Sequence, residues 1–405
     1  MIPEKDKIFY WWISLLLAFI VLGAFVVGLS FIEGAEILEI SPHISWSMLV
    51  AVYVFFVVSG SGMCIVTSLG HVFGIKRFEL ISKRGVFFAS TAIIAGLLAI
   101  LLHLGHVERA MVYVYLSPNL KSGILWMGLF YTVYLSFVII EYWLLARAEM
   151  AKIANDSTGY RQVFYGLLTL GMRDESEKSV HLDHKLAKMA GAAALVTGLA
   201  AVSTLGAVFG HLESRALWYG AFYPAYFILS ATFSGLSFFL FIIILTYRVN
   251  GEEMSNKLRR LVKELGKLLA LMLSIGLLFT AWRIFASVSN PETAGSIMVL
   301  LNGPFSFSFY VFEILLGTVI PIAILLSPDL TIKKIFVSSL LTVIGLFVMR
   351  YDFLTAGQVY PGLSDNLPSY FPAFFEIVIT MAIIALFGFM YTLGARLLPM
   401  KEEGH

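Results

Sequence analysis

Ten runs of about 20 apolar residues divide this chain, and the polar stretches between them are too short to build a separate domain. The runs cover 9–31, 46–69, 86–105, 124–146, 186–209, 222–247, 267–288, 304–326, 334–350 and 373–397. A helix of about 20 residues crosses the hydrocarbon core of a bilayer and satisfies its own backbone hydrogen bonds there. The pattern predicts an all-α polytopic membrane protein with ten transmembrane helices. The first run is too long for a signal-peptide core and lacks a small-residue cleavage site, so it is expected to be a retained helix. Composition agrees: 59% of residues are hydrophobic and 13% charged, against roughly 25% charged in soluble proteins. This excludes a water-soluble enzyme and a disordered chain. A net charge of +2 offers no footprint for nucleic acid. The single cysteine, Cys64, excludes a disulfide scaffold, a zinc finger and an iron–sulfur cluster held by this chain's own cysteines.

An even number of spans puts both termini on one side, and 23 of the 28 basic residues fall on that side. The other side keeps Arg109, Lys121, Arg215, Arg283 and Arg350. The positive-inside rule then predicts cytoplasmic termini in a cytoplasmic (inner) membrane. Trp11, Trp12 and Trp143 fall near one boundary, and Trp46, Trp126, Trp218 and Trp282 toward the other, as interfacial belts require. The longest polar loop, about 147–185, reads as a solvated connector or short surface helix.

A short repeat closes the third and fifth spans. Gly105-His106-Val107-Glu108-Arg109-Ala110 is answered by Gly210-His211-Leu212-Glu213-Ser214-Arg215-Ala216, with Pro118 and Pro224 at nearly the same offset. A fainter match sets Gly96-Leu97-Leu98 against Gly276-Leu277-Leu278, and Ser59-Gly60 against Ser234-Gly235. These pairings predict two four-helix bundles, spans 2–5 and 6–9, with spans 1 and 10 flanking them. The expected division is 1–45, 46–209, 210–350 and 351–405 within one integral membrane domain.

Ionisable side chains inside or beside a span are costly, and each is a functional hypothesis. His103, His106, Glu108, Arg109, His211, Glu213 and Arg215 gather at the outer ends of spans 3 and 5. On helices, His103 would share a face with His106, and His211 with Arg215. Such a set suits quinol turnover, which needs donors at the quinone carbonyls and proton acceptors near water; histidine does this near neutral pH. His106, Glu108 and His211 are the expected proton-exchanging residues, with His103, Arg109, Trp126, Glu213 and Arg215 around the ring. The plainer reading is that Glu108–Arg109 and Glu213–Arg215 are interfacial ion pairs. Glu313 lies deeper and is the better proton-path carboxylate, with Arg283 its expected partner. Glu141 is a second candidate, although the favoured reading is that it simply reaches water, paired with Arg147. Arg350 and Asp352 are expected to pair locally.

No metal site is predicted. His103, His106 and His211 share one boundary, and no second histidine pair lies opposite, which leaves no two-haem wire across the membrane. The rivals that remain are a secondary transporter built from repeated bundles and, less favoured, a b-type cytochrome subunit.

The stretch His103-Leu104-Gly105-His106-Val107-Glu108-Arg109, followed by Ser117-Pro118-Asn119, Ser122 and Trp126, resembles the NrfD/PsrC-like membrane subunits. Members commonly read Asp-Leu-Gly-Arg-Pro-Glu-Arg there; His103, His106 and Val107 are departures from that pattern. Helix number and length match the ten-helix branch (HybB-like, DsrP-like, ActC-like). The resemblance implies a haem-free, quinone-reactive subunit of a respiratory oxidoreductase complex that uses quinone or menaquinone. It further implies electron exchange with a ferredoxin-like iron–sulfur subunit on the outer face. Further redox subunits (a hydrogenase, molybdopterin enzyme or multihaem cytochrome) would complete the complex.

Overall fold

A computed structural model describes residues 4–33, 44–104, 109, 112–360 and 370–400. No strand occurs among them, and ten helices are long and apolar enough to cross a membrane. We number these α1 (Glu4–Glu33), α2 (Met48–His71), α3 (Ser82–Leu104), α4 (Gly123–Asp156), α5 (Glu177–Gly210), α6 (Phe222–Val249), α7 (Asn256–Ser289), α8 (Ser308–Leu325), α9 (Ile332–Val359) and α10 (Phe374–Leu397). The protein is a multi-span, all-α membrane protein.

Side-chain oxygens start most helices where the sequence supplies them. Ser47, Ser122, Ser176, Ser255 and Thr331 each accept a backbone N–H in the first turn of α2, α4, α5, α7 and α9, satisfying donors that a helix start leaves open. α4, α5 and α7 have 34 residues each, about 51 Å at 1.5 Å per residue. Their surplus over the apolar runs is polar and lies at the face where the chain ends meet. There Arg396 donates to Asp6 at 2.8 Å. We call this the terminal face and its opposite the distal face.

α2 is buried along nearly its whole length. It packs on α3 and α5, which with α4 close a ring; α6 and α9 flank it on the other side, with α7 and α8 beyond. α10 lies against α1 and α3. α2 and α6 approach closely enough to require glycine. A Cβ on Gly62 would sit 1.6 Å from the Ala231 carbonyl oxygen, and one on Gly235 would sit 2.4 Å from the Met63 nitrogen. Small residues are what allow backbones to approach this closely in membranes. The Ser59-Gly60 and Ser234-Gly235 pairs are not symmetric in this contact, because Gly60 faces Ala89 of α3 and Gly62 takes the place opposite α6.

α8 departs from α-geometry. It is π-helical over Ser308–Val319 before Pro321, and a Cβ on Gly345 of α9 would lie 2.4 Å from the Gly317 Cα. Wide π turns interrupt the regular ladder and frequently mark functional sites. This one carries Glu313.

Candidate functional site

The segment leading into α2 organises the distal face. Trp46 N–H donates to Gln358 Oε1 at 2.8 Å, and Gln358 Nε2 returns a bond to the Trp46 carbonyl at 3.0 Å. This two-point clasp ties the start of α2 to the end of α9. Arg215 donates to the Gln358 carbonyl at 2.6 Å from the α5–α6 connection. The Trp46 ring stacks on Trp218 with centroids 5.1 Å apart and 13° between planes, and Phe209 meets both edge-on. On the other side, Ser47 Oγ and His103 Nδ1 are hydrogen-bonded at 3.0 Å.

Tyr370 and Glu376 complete the cluster, and neither stood out in the sequence. The Met48 N–H donates to the Tyr370 hydroxyl at 3.0 Å, and that hydroxyl donates in turn to the Glu376 carboxylate. Glu376 is 0% exposed, and its Oε1 has no hydrogen-bond partner among the described residues. A buried carboxylate oxygen without a partner is an expensive arrangement, and here the other oxygen accepts from a phenol. The signal was available: Glu376 lies inside the tenth apolar run, where the rule that singled out Glu313 applies equally.

The expected residues divide as follows. His103 and Arg215 flank the Trp46–Ser47 segment. His106 and Glu108 lie outside the described residues. Arg109, His211 and Glu213 are exposed. Trp126 is 42% exposed and donates to the Leu120 carbonyl at 2.9 Å, bracing the start of α4. His211 and Arg215 do not share a helix face, because α5 ends at Gly210 and the chain turns through 211–219. Glu213 is thereby separated from Arg215, whose guanidinium turns to Gln358.

Three further expectations are corrected in the membrane interior. Glu141 is 1% exposed and contacts His71 of α2, while Arg147 pairs with Asp183 and donates to Ser179 at 2.7 Å. Neither water nor Arg147 therefore explains Glu141. Arg350 does not pair with Asp352 among the described residues; it donates to Ser230 at 2.6 Å and lies 4.8 Å over the Phe227 ring. Their side chains diverge because helix positions two residues apart point about 200° apart, to nearly opposite sides. Glu313 and Arg283 likewise form no ion pair within 4 Å among the described residues, and Arg283 lies 5.8 Å over the Tyr223 ring. Glu313 instead borders a cavity of about 20 Å³ that Tyr226, Thr280 and Thr318 also line, a volume that suits one water molecule.

The distal cluster offers donors and acceptors for a carrier that moves protons and electrons together. The His103 imidazole nitrogens and the Tyr370 hydroxyl can each donate or accept a hydrogen bond, and the Glu376 carboxylate can accept one. No group of three His, Cys, Asp or Glu side chains is arranged to hold a metal among the described residues.

Comparison with known proteins bears on this arrangement. The family model described as "Polysulphide reductase, NrfD" matches residues 36–362. The chain is 29% identical over 402 residues to a selenate reductase subunit of Mesobacillus selenatarsenatis, covering 95% of this chain and 92% of the relative. It is 26% identical over 420 residues to the Hdr-like menaquinol oxidoreductase integral membrane subunit of Archaeoglobus fulgidus, covering 99% and 96%. A protein NrfD homolog of Haemophilus influenzae is 23% identical over 339 residues, covering 79% and 96%. Near full-length similarity to oxidoreductase membrane subunits favours that reading over a transporter or a b-type cytochrome. With the family model covering most of the chain, and ten membrane helices to match, this protein belongs to the NrfD family of oxidoreductase membrane subunits.

Proposed function

We propose that this chain is the quinone-reactive membrane subunit of a respiratory complex and works at its distal face. The buried Glu376 carboxylate carries the reading: one oxygen accepts from Tyr370, the other has no hydrogen-bond partner among the described residues, and His103 is hydrogen-bonded to Ser47 at the start of α2. A quinol hydroxyl presented there meets an imidazole and a carboxylate as proton acceptors. A quinone carbonyl meets the Tyr370 hydroxyl as donor once Glu376 is protonated and donates to the Tyr370 oxygen, which frees the phenol proton. Geometry of this kind contributes roughly 10²–10⁴-fold to proton transfer.

In this reading His106, Glu108 and His211 exchange protons at the rim, and Arg109, Glu213, Arg215 and Trp126 border the ring. The quinone is menaquinone, in keeping with the menaquinol oxidoreductase subunit among the archaeal relatives. Electrons pass to or from a ferredoxin-like iron–sulfur subunit docked on the same face, with further redox subunits beyond it. The iron and sulfur belong to those partners, and this chain holds neither haem nor cluster. The basic residues support cytoplasmic termini in the inner membrane. Protons cross through Glu313 with its water-sized cavity and Arg283, or through Glu141 with His71 toward the terminal face. The division into two four-helix bundles fits both routes, one in each.

The test is turnover with a soluble quinol analogue in the isolated complex. Glu376→Gln and His103→Ala are each expected to slow it at least 100-fold while the complex assembles. Turnover within threefold of wild type in both variants would overturn the assignment.

A further inference from the structure

The connection between α4 and α5 contains a short amphipathic helix, Tyr160–Leu168, with Arg161 and Gln162 set apart from an apolar outer stripe. Its inner face packs on the protein: Tyr165 and Gly166 are buried, and the Tyr165 hydroxyl donates to the Leu397 carbonyl at the end of α10. Its outer face carries Tyr160, Val163, Phe164 and Leu167, at spacings i, i+3, i+4 and i+7. That spacing confines them to an arc of about 100°. Tyr160 is 97% exposed and Leu167 is 71% exposed, and Leu170 just beyond is exposed as well. Gly159 at φ +67° and Gly171 at φ +77° bracket the helix. These conformations suit glycine and turn the chain sharply at both ends.

The depth of this helix decides what covers the outer face. Trp143 Nε1 donates to the Leu168 carbonyl at 2.9 Å. Trp143 lies 13 residues before the end of α4 at Asp156, about 20 Å along the axis. The chain therefore leaves the top of α4 and returns to the level of Trp143 and of the α10 terminus. A tryptophan near the end of a span sits at the lipid–water boundary, so Leu167 and Leu170 lie at that boundary and not out in solution. Charge points the same way. Residues 157–173 contain Arg161 and Arg173 and no acidic residue, and the Asp174 and Glu175 that follow accept hydrogen bonds from Ser176 and Asn155. Arg173 folds back across Gly166, where a Cβ would be 2.4 Å from its guanidinium, and Arg161 lies 5.9 Å over the Tyr165 ring. Both arginines thus lie against the helix while remaining exposed, beside an apolar stripe that faces outward.

We propose that Tyr160–Leu168 is an interfacial foot lying in the terminal-face leaflet, and that Arg161 and Arg173 bind the phosphodiester headgroup of an anionic phospholipid. Apolar side chains enter the acyl boundary while arginines sit at headgroup level, the arrangement that holds amphipathic helices on anionic membranes.

The test uses the isolated complex carrying Leu167→Cys labelled with bimane, read as the difference from the identically treated complex without that substitution; Cys64 is buried in both. The label is read in vesicles containing brominated phosphatidylglycerol or brominated phosphatidylcholine in a phosphatidylcholine background. Brominated lipid is expected to quench it and aqueous iodide to leave it bright, with quenching favouring phosphatidylglycerol. Arg161→Gln and Arg173→Gln should each reduce that preference about fivefold. Quenching by iodide alone would place the face in water, and protection from both quenchers would mean that a partner protein covers it. Equal quenching by the two lipids would remove the headgroup site. Any of these three results overturns the proposal.

Discussion

Gly62→Ala tests the close packing of α2 on α6. Its added methyl would stand 1.6 Å from the Ala231 carbonyl oxygen and 2.3 Å from the Ala231 carbonyl carbon. Both obstacles are backbone, so no rotamer change relieves them. Restoring a 3.4 Å contact requires α2 and α6 to part by about 1.8 Å, and a gap of 0.5–1 Å already forfeits a quarter to a half of a van der Waals well. Overpacking of this kind costs about 3 kcal/mol, the upper end of its usual range. At about 2 °C per kcal/mol for a large domain, the detergent-solubilised protein should lose roughly 6 °C in Tm. Gly128→Ala is the control, since nothing lies within 4 Å of its Cβ position. Replacing that helical glycine should be neutral or stabilise by about 0.5–1 kcal/mol. The measurement is thermal unfolding followed by loss of the monodisperse chromatographic peak. If Gly62→Ala melts within 1 °C of Gly128→Ala, the close α2–α6 approach is wrong.

Asp183→Asn strands the buried Arg147 charge and should cost about 3–5 kcal/mol, whereas the double change Arg147→Met with Asp183→Leu should recover more than half of the lost Tm; equal losses in the two proteins would contradict this. Glu141→Gln and Glu313→Gln should each leave electron transfer above half of wild type in proteoliposomes and remove quinol-coupled pH change by their own route, so an unaltered pH trace in both would exclude both routes. His106→Ala should abolish quinol-dependent electron transfer while subunits still co-purify, and unchanged turnover with a quinol analogue would remove His106 from the site. Gly357→Ala should displace the Trp218 indole, whose Nε1 lies 1.9 Å from the added Cβ, and lower quinol turnover by breaking the Trp46 stack; an unchanged tryptophan fluorescence spectrum would contradict it.

The ten spans were legible because a bilayer imposes length and apolarity on every crossing segment, whatever packs against it. The polar extensions of α4, α5 and α7 were not, since beyond the hydrocarbon they follow ordinary helix rules and carry charges freely. Single side chains fared according to how far their partners lie along the chain. Arg350 and Asp352 look paired when neighbours are read in order, but Arg350 reaches Ser230, 120 residues away. Glu141 finds His71 across α2 and α4, a contact that no local spacing encodes. The repeat at His106 and His211 was visible, yet it implied helical continuity past Gly210 that the turn at 211–219 does not allow. His103 was visible in the sequence as an ionisable side chain at a span end, while Ser47, to which it is hydrogen-bonded, carried no signal beyond that of a helix cap. Glu376 was missed although it obeys the very rule applied to Glu313.

The central claim is that quinone reacts at the distal face, between the start of α2 and the start of α10. Photolabelling the intact complex with an azido-quinone and mapping the modified peptides tests it most directly. Label is expected on the peptides containing Ser47–Met48, His103 and Tyr370–Glu376, suppressed by excess unlabelled quinol. Specific labelling confined to terminal-face peptides, such as those containing His71 or Trp143, would contradict it.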